Sequence, residues 1–222
     1  MNIARYRLVL AYVFLSIGAL TNVHASPADD FFGALGRNDA ATVRQLLAAG
    51  FDANARNADG QPALLLAVRD RADAVARALL DAPKLDVDET NRAGETALMI
   101  ACLLGDDALV RAMVEQGAAV DRPGWTPLSY AATNGHTAIA RYLLQHGARV
   151  DAPAPNGTTP LMMAAYFGHT STVRLLLAAG ADAKRKNAMG FSAMDLAMQR
   201  KHQDTADVLG RALDGGRKPG HW

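Results

Sequence analysis

Few residues of this chain are equipped to do chemistry, and their spacing narrows what that chemistry is. His136 and His169 stand 33 positions apart, each inside a Gly-His-Thr triplet, and paired imidazoles raise the question of a metal centre. Two ligands are not a site. Asp86, Asp88 and Glu89 crowd one short stretch, but they lack the glycine and the spaced oxygen ligands of a calcium loop. A solvated turn is the expectation. Cys102 is the one cysteine, which excludes an intramolecular disulfide. It follows Ala101 among small apolar neighbours, where a thiol is expected to be buried and inert. The chain has no phosphate-binding glycine loop, no paired cysteine ligands and no Gly-x-Ser-x-Gly nucleophile signature. The sequence therefore predicts no catalytic residue, no cofactor and no metal, and points away from an enzyme.

What positions these residues is a repeat. The motif Leu-x-x-Ala recurs at Leu64/Ala67, Leu98/Ala101, Leu128/Ala131 and Leu161/Ala164, with weaker copies at Phe31/Ala34 and Met194/Ala197. Successive alanines lie 33, 34, 30, 33 and 33 residues apart, and Gly60, Gly94, Gly124, Gly157 and Gly190 precede five of them. A period near 33 is one supersecondary unit. In the clearest unit, Thr159 offers an oxygen to a free backbone N–H and Pro160 fits the first helical position, so a helix opens there. Thr126 and Pro127 repeat the signal. Leu161, Ala164 and Ala165 share one face, and Gly168 permits the left-handed step that ends the helix. A second helix is expected from about His169, with Val173, Leu176 and Leu177 on one face and Gly180 at its end.

The first 25 residues differ from the rest. Arg5 and Arg7 precede the apolar run "LVLAYVFLSIGAL" at 8–20, and Val23, His24 and Ala25 place small residues where a signal peptidase needs them. Thirteen apolar residues are short of the roughly 20 that span a bilayer. The expectation is a bacterial secretory leader at 1–25, a periplasmic destination and no stable membrane anchor after cleavage. The whole chain has 222 residues, 23 Lys plus Arg and 22 Asp plus Glu. Losing two arginines leaves 21 basic against 22 acidic groups, a formal charge of −1, which argues against nucleic acid as a partner.

The segments "GWTPLSYAATNGHTAIARYLLQHGARVDA" and "GTTPLMMAAYFGHTSTVRLLLAAGADA" closely resemble ankyrin repeats, and the resemblance extends over about residues 29–213. It implies an all-α solenoid of about six helix-turn-helix repeats with short β-hairpin loops, at about 29–57, 58–91, 92–121, 122–154, 155–187 and 188–213. Residues 214–222 then form a flexible tail. Three departures stand out. The 30-residue step before Ala131 predicts a stunted finger. Arg71 and Lys201 occupy places held elsewhere by Gly105, Gly135 and Gly168, so those turns either accept strain or change shape. Pro83 sits near the usual helix-ending glycine, predicting a longer connector.

The resemblance also implies that a histidine after the turn glycine bonds to local backbone at the start of the second helix. The methionines at 99, 113, 162, 163, 194 and 198 lie beside apolar residues and read as core. For function, the resemblance implies a concave protein-binding face whose contact residues lie beside each finger glycine and at the end of each first helix. Those places hold Glu95, Leu103 and Leu104; Trp125, Thr133 and Asn134; Thr158, Tyr166 and Phe167; and Met189, Phe191, Gln199 and Arg200. Two arrangements fit the aromatics. Trp125, Tyr166, Phe167 and Phe191 form an exposed recognition patch, or Phe167 and Phe191 pack between repeats and only Trp125 stays partly exposed. The expected partner is another exported protein, bound by a monomeric scaffold or accessory protein; the alternative is an immunity-type inhibitor of an effector enzyme in the same compartment.

Overall fold

A computed structural model describes residues 26–214. The leader expected at 1–25, and the tail beyond 214, lie outside the described residues. Among the described residues twelve helices follow one another in pairs: α1 (Pro27–Gly36) and α2 (Ala40–Ala48), α3 (Ala63–Arg69) and α4 (Asp73–Leu80), α5 (Ala97–Leu104) and α6 (Asp107–Glu115). The series continues with α7 (Pro127–Thr133) and α8 (Thr137–Gln145), α9 (Pro160–Tyr166) and α10 (Thr170–Ala178), α11 (Ala193–Gln199) and α12 (Gln203–Leu213).

The first helix of each pair starts where the sequence offers a capping oxygen. Thr126 and Thr159 accept the N–H groups of Ser129 and Met162, with proline next in the chain. Ser26, Thr96 and Ser192 cap α1, α5 and α11 in the same way. Each such cap is worth about 1 kcal/mol. Of these first helices only α3 starts without a side-chain cap, after Pro62.

Packing is neighbour on neighbour. Each first helix rests on the first helices before and after it, and second helices stack likewise, giving two helical layers. The motif alanines Ala34, Ala67, Ala101, Ala131, Ala164 and Ala197 are wholly buried, because a methyl group is the largest side chain that lets these helices approach so closely. Leu98, Leu128, Leu161, Val173 and Leu176 fill the space around them. Cys102 is fully buried, and burial pushes its thiol well above the ordinary range. Met99, Met113 and Met162 are core residues. Met198 corrects the sequence reading: it is 65% exposed, on the flank of α11 where no further repeat stacks among the described residues, and with Met194 it lines a shallow groove against α12.

The fingers between pairs carry a shared backbone pattern. At 57/61, 91/95, 154/158 and 187/191 an N–H donates to the carbonyl four residues on, and only isolated bridges (Arg56 with Pro62, Thr90 with Thr96) mark β-structure among the described residues. The finger at 118–125 has no such closing bond, so it is stunted as its length predicts. Successive fingers are tied by side chains. Asn54 accepts the N–H of Asp86 at 2.7 Å, Asp88 that of Ala119 at 3.0 Å, and Asp151 that of Asp182 at 3.1 Å. Asp88 is thus a tie between repeats. Asp86 accepts the N–H of Asp88, and Glu89 pairs with Arg56 at 3.2 Å.

Arg71 and Lys201 keep the glycine geometry and bear its strain, with φ of 58° and 62°. The histidines depart from expectation. The Nε2 of His136 lies 3.0 Å from the carbonyl of Leu103, that of His169 2.9 Å from Thr133, and that of His202 3.1 Å from Tyr166. A carbonyl only accepts, so each imidazole donates, and it does so to the preceding repeat, not to local backbone. The reason is room: Gly105, Gly135 and Gly168 leave the space that each ring fills. Thr137 and Thr172, and Thr170 and Thr205, add hydroxyl pairs at 2.8 Å between neighbouring second helices.

Candidate functional site

Side chains that can meet a partner stand where the fingers and the ends of the first helices come to the surface. Their availability differs from repeat to repeat. Glu95, at the third, is half-buried and already occupied: its carboxylate accepts the Tyr130 hydroxyl at 2.7 Å and the Asn91 amide at 2.8 Å. Burial, and then the hydrogen bond to Glu95, hold the Tyr130 phenol well above its ordinary value. Leu103 and Leu104 are half-buried at the end of α5. The Leu103 carbonyl takes both His136 and the Asn134 amide, at 3.0 and 2.8 Å, and the Leu104 carbonyl takes the Arg71 guanidinium at 3.1 Å.

In the fourth repeat, Trp125 is half-buried and meets Tyr130 edge-on, with ring centroids 6.5 Å apart. Thr133 folds its hydroxyl back onto the Ser129 carbonyl at 2.8 Å, as a threonine near a helix end commonly does. Asn134 is exposed, but its amide is spent on Leu103.

In the fifth repeat, Thr158 has to be withdrawn from the contact surface. Only 6% of it is exposed, and its carbonyl accepts the N–H of Ala154 in closing the finger. Tyr166 and Phe167 end α9 and its cap; Phe167 is 41% exposed, and the rings meet edge to face at 4.9 Å. The sixth repeat adds Met189, 69% exposed at a finger tip, and Phe191, half-buried and packed against the core. Gln199 and Arg200 are exposed, and the Arg200 guanidinium covers the Tyr166 ring at 4.5 Å.

Neither of the two arrangements expected for the aromatics holds complete. Phe191 packs inward, Phe167 faces out, and Trp125 and Tyr166 lie between. The geometry gathers Tyr166, Phe167 and Arg200 into one stacked cluster and leaves Trp125 with Tyr130 as a second. A Tyr–Arg–Phe cluster of this kind offers broad, rigid contact area with little side-chain entropy to lose, which is how interface anchors work. Sequence reasoning overlooked Tyr130, although its place just before Ala131 on α7 was a signal.

His136 and His169 each donate one ring N–H to a carbonyl of the preceding repeat. Among the described residues no group of three or more His, Cys, Asp or Glu is placed to hold a metal ion, and no helix is long and apolar enough to cross a membrane.

Comparison with known families matches residues 31–122 and 82–154 to a model described as ankyrin repeats (3 copies), and residues 143–197 to one described as ankyrin repeats (many copies). Together these matches run through residues 31–197. No curated protein matches the chain.

Proposed function

We propose a function from one premise: this chain belongs to the ankyrin repeat family, whose repeats form protein–protein interaction modules. It works as a non-catalytic scaffold or accessory protein that holds another exported protein against its fingers and first-helix ends. The observation that carries this reading is the stacked Tyr166–Phe167–Arg200 cluster, with Phe167 and Arg200 exposed at the ends of two successive first helices. Export to the periplasm is supported by the basic, then apolar, then small-residue order of positions 1–25.

The test is co-purification from the exported fraction followed by an activity assay on whatever enzyme is retained. An accessory protein preserves or raises its partner's turnover; suppression assigns the chain instead to the inhibitor class. The Trp125→Ala, Phe167→Ala double variant is expected to lose the partner while keeping its helical circular dichroism. Retention of the partner by that variant removes the cluster from the interface. A processed N-terminus near Ala25 in the exported fraction checks the leader.

A further inference from the structure

The near-neutral charge of the chain conceals an uneven distribution along the surface that bears the fingers. Five comparable stretches run from the glycine after a second helix, or its equivalent, to the turn after the next first helix. Residues 50–71, 117–135 and 147–168 each carry equal numbers of acids and bases. Residues 84–105 set Lys84 and Arg92 against Asp86, Asp88, Glu89 and Glu95, a formal charge of −2. Residues 180–201 set Lys184, Arg185, Lys186, Arg200 and Lys201 against Asp182 and Asp195, a formal charge of +3.

The two acids of that last stretch are turned to local backbone. Asp195 accepts from Ser192 N–H and hydroxyl at 2.8 and 2.7 Å, and Asp182 accepts the N–H of Lys184 at 2.9 Å. None of the five basic side chains forms an ion pair among the described residues, and all five are exposed. Arg185 alone has a structural bond, to the Asp151 carbonyl at 3.0 Å. Of these charges Arg200 lies against the aromatic cluster, on the Tyr166 ring, while Lys184 and Lys186 are exposed on the finger that leads into the same repeat.

We propose that the fingers and first-helix ends of the fifth and sixth repeats receive an acidic polypeptide segment that also carries apolar side chains. Its carboxylates meet Lys184, Lys186 and Arg200, and its apolar groups meet Phe167 and Met189. This rests on the protein-binding reading above and adds the chemistry of the partner. Opposite charges across such a surface steer encounter and fix register. A single strand of nucleic acid also stacks on aromatics and seeks bases. Its uniform charge, however, finds only one basic stretch here, with the neighbouring stretches neutral or acidic, whereas a polypeptide can place its acids at one end only.

The experiment is selection of a displayed random-peptide library on the full chain, followed by fluorescence anisotropy with the best synthetic peptide. Enriched sequences are expected to carry excess Asp and Glu beside Leu, Phe or Trp. The Lys184→Glu, Lys186→Glu, Arg200→Glu variant, which spares the Arg185 bond, is expected to bind that peptide at least about tenfold more weakly, with an unchanged circular dichroism melt. A second measurement needs no substitution: raising salt from about 50 mM to about 500 mM weakens the native complex by a similar factor, because it shortens the reach of exposed charges.

Peptides enriched without acidic excess, or affinity indifferent to both the reversal and salt, overturn this inference and leave protein binding standing. No enrichment of any peptide also overturns this inference, while the co-purification above decides protein binding. An oligothymidylate that binds more tightly than the peptide and displaces it assigns the surface to nucleic acid instead.

Discussion

Replacing Gly135 by alanine tests the link between a turn glycine and the histidine of the next repeat. Gly135 has φ of 71°, and a Cβ there stands 2.5 Å from Nδ1 and 2.6 Å from Cγ of His169. Gly147 has φ of 94° with nothing within 4 Å of its would-be Cβ. Gly147→Ala thus isolates the backbone term, about 1–2 kcal/mol for an L-residue in the left-handed region. Gly135→Ala adds to it the displacement of an imidazole that bonds Thr133, about 1–3 kcal/mol as overpacking, for a total of about 2–5 kcal/mol. His169→Ala alone loses a hydrogen bond and some packing, about 1–2 kcal/mol. In the double variant the clash is gone, so its loss falls short of the sum of the single losses by about 1–3 kcal/mol. Urea unfolding followed by far-ultraviolet circular dichroism measures all four proteins. Equal losses at Gly135 and Gly147, or an additive cycle, refute the reasoning.

Lys201→Gly relieves a left-handed L-residue and is expected to raise stability by up to about 1 kcal/mol, read as a higher melting temperature; Arg71→Gly gains less, because the bond from Arg71 to the Leu104 carbonyl goes with the side chain. Below the ordinary thiol value of about 8.5, Cys102 is protonated folded or unfolded and contributes no pH dependence. Above it the unfolded chain ionises first, since burial raises the folded value, so stability falls as pH rises by up to about 1.4 kcal/mol per pH unit. Denaturant titrations across that range on native protein and Cys102→Ala compare the slopes, and the variant's is expected to be shallower. Met198→Lys is expected to change stability by no more than about 0.5 kcal/mol, whereas Met162→Lys, at a site 1% exposed, costs more than about 4 kcal/mol or prevents folding. Thermal melts of the two separate an exposed methionine from a core one.

Local signals were legible where their cause is local. Thr126 with Pro127 and Thr159 with Pro160 mark helix starts, because both the capping oxygen and the missing N–H act within one turn. The alanine period announced close helix packing, since only small side chains suit it, and the 30-residue step announced a finger without its closing bond. What could not be read depends on residues a repeat away. The target of each histidine is a carbonyl 33 or 36 positions earlier. Thr158 and Trp125 occupy like places beside Gly157 and Gly124, yet the threonine is buried and the tryptophan half-exposed. Glu95 was legible as a surface position; its capture by Tyr130 was not, because that partner lies 35 residues on. Met198 read as core because its neighbours in sequence are apolar, although no seventh unit covers it among the described residues.

The histidine-to-carbonyl bonds bear on how this surface can change. A strand or loop approaching the ends of α5, α7 and α9 finds the acceptors of Leu103, Thr133 and Tyr166 already taken. The frame has first claim on these carbonyls, so discrimination rests mainly on exposed side groups such as Phe167, Gln199 and Arg200. One set of tips can then be swapped for another without disturbing the frame beneath, and the molecule is a holder whose vocabulary is rewritable one letter at a time.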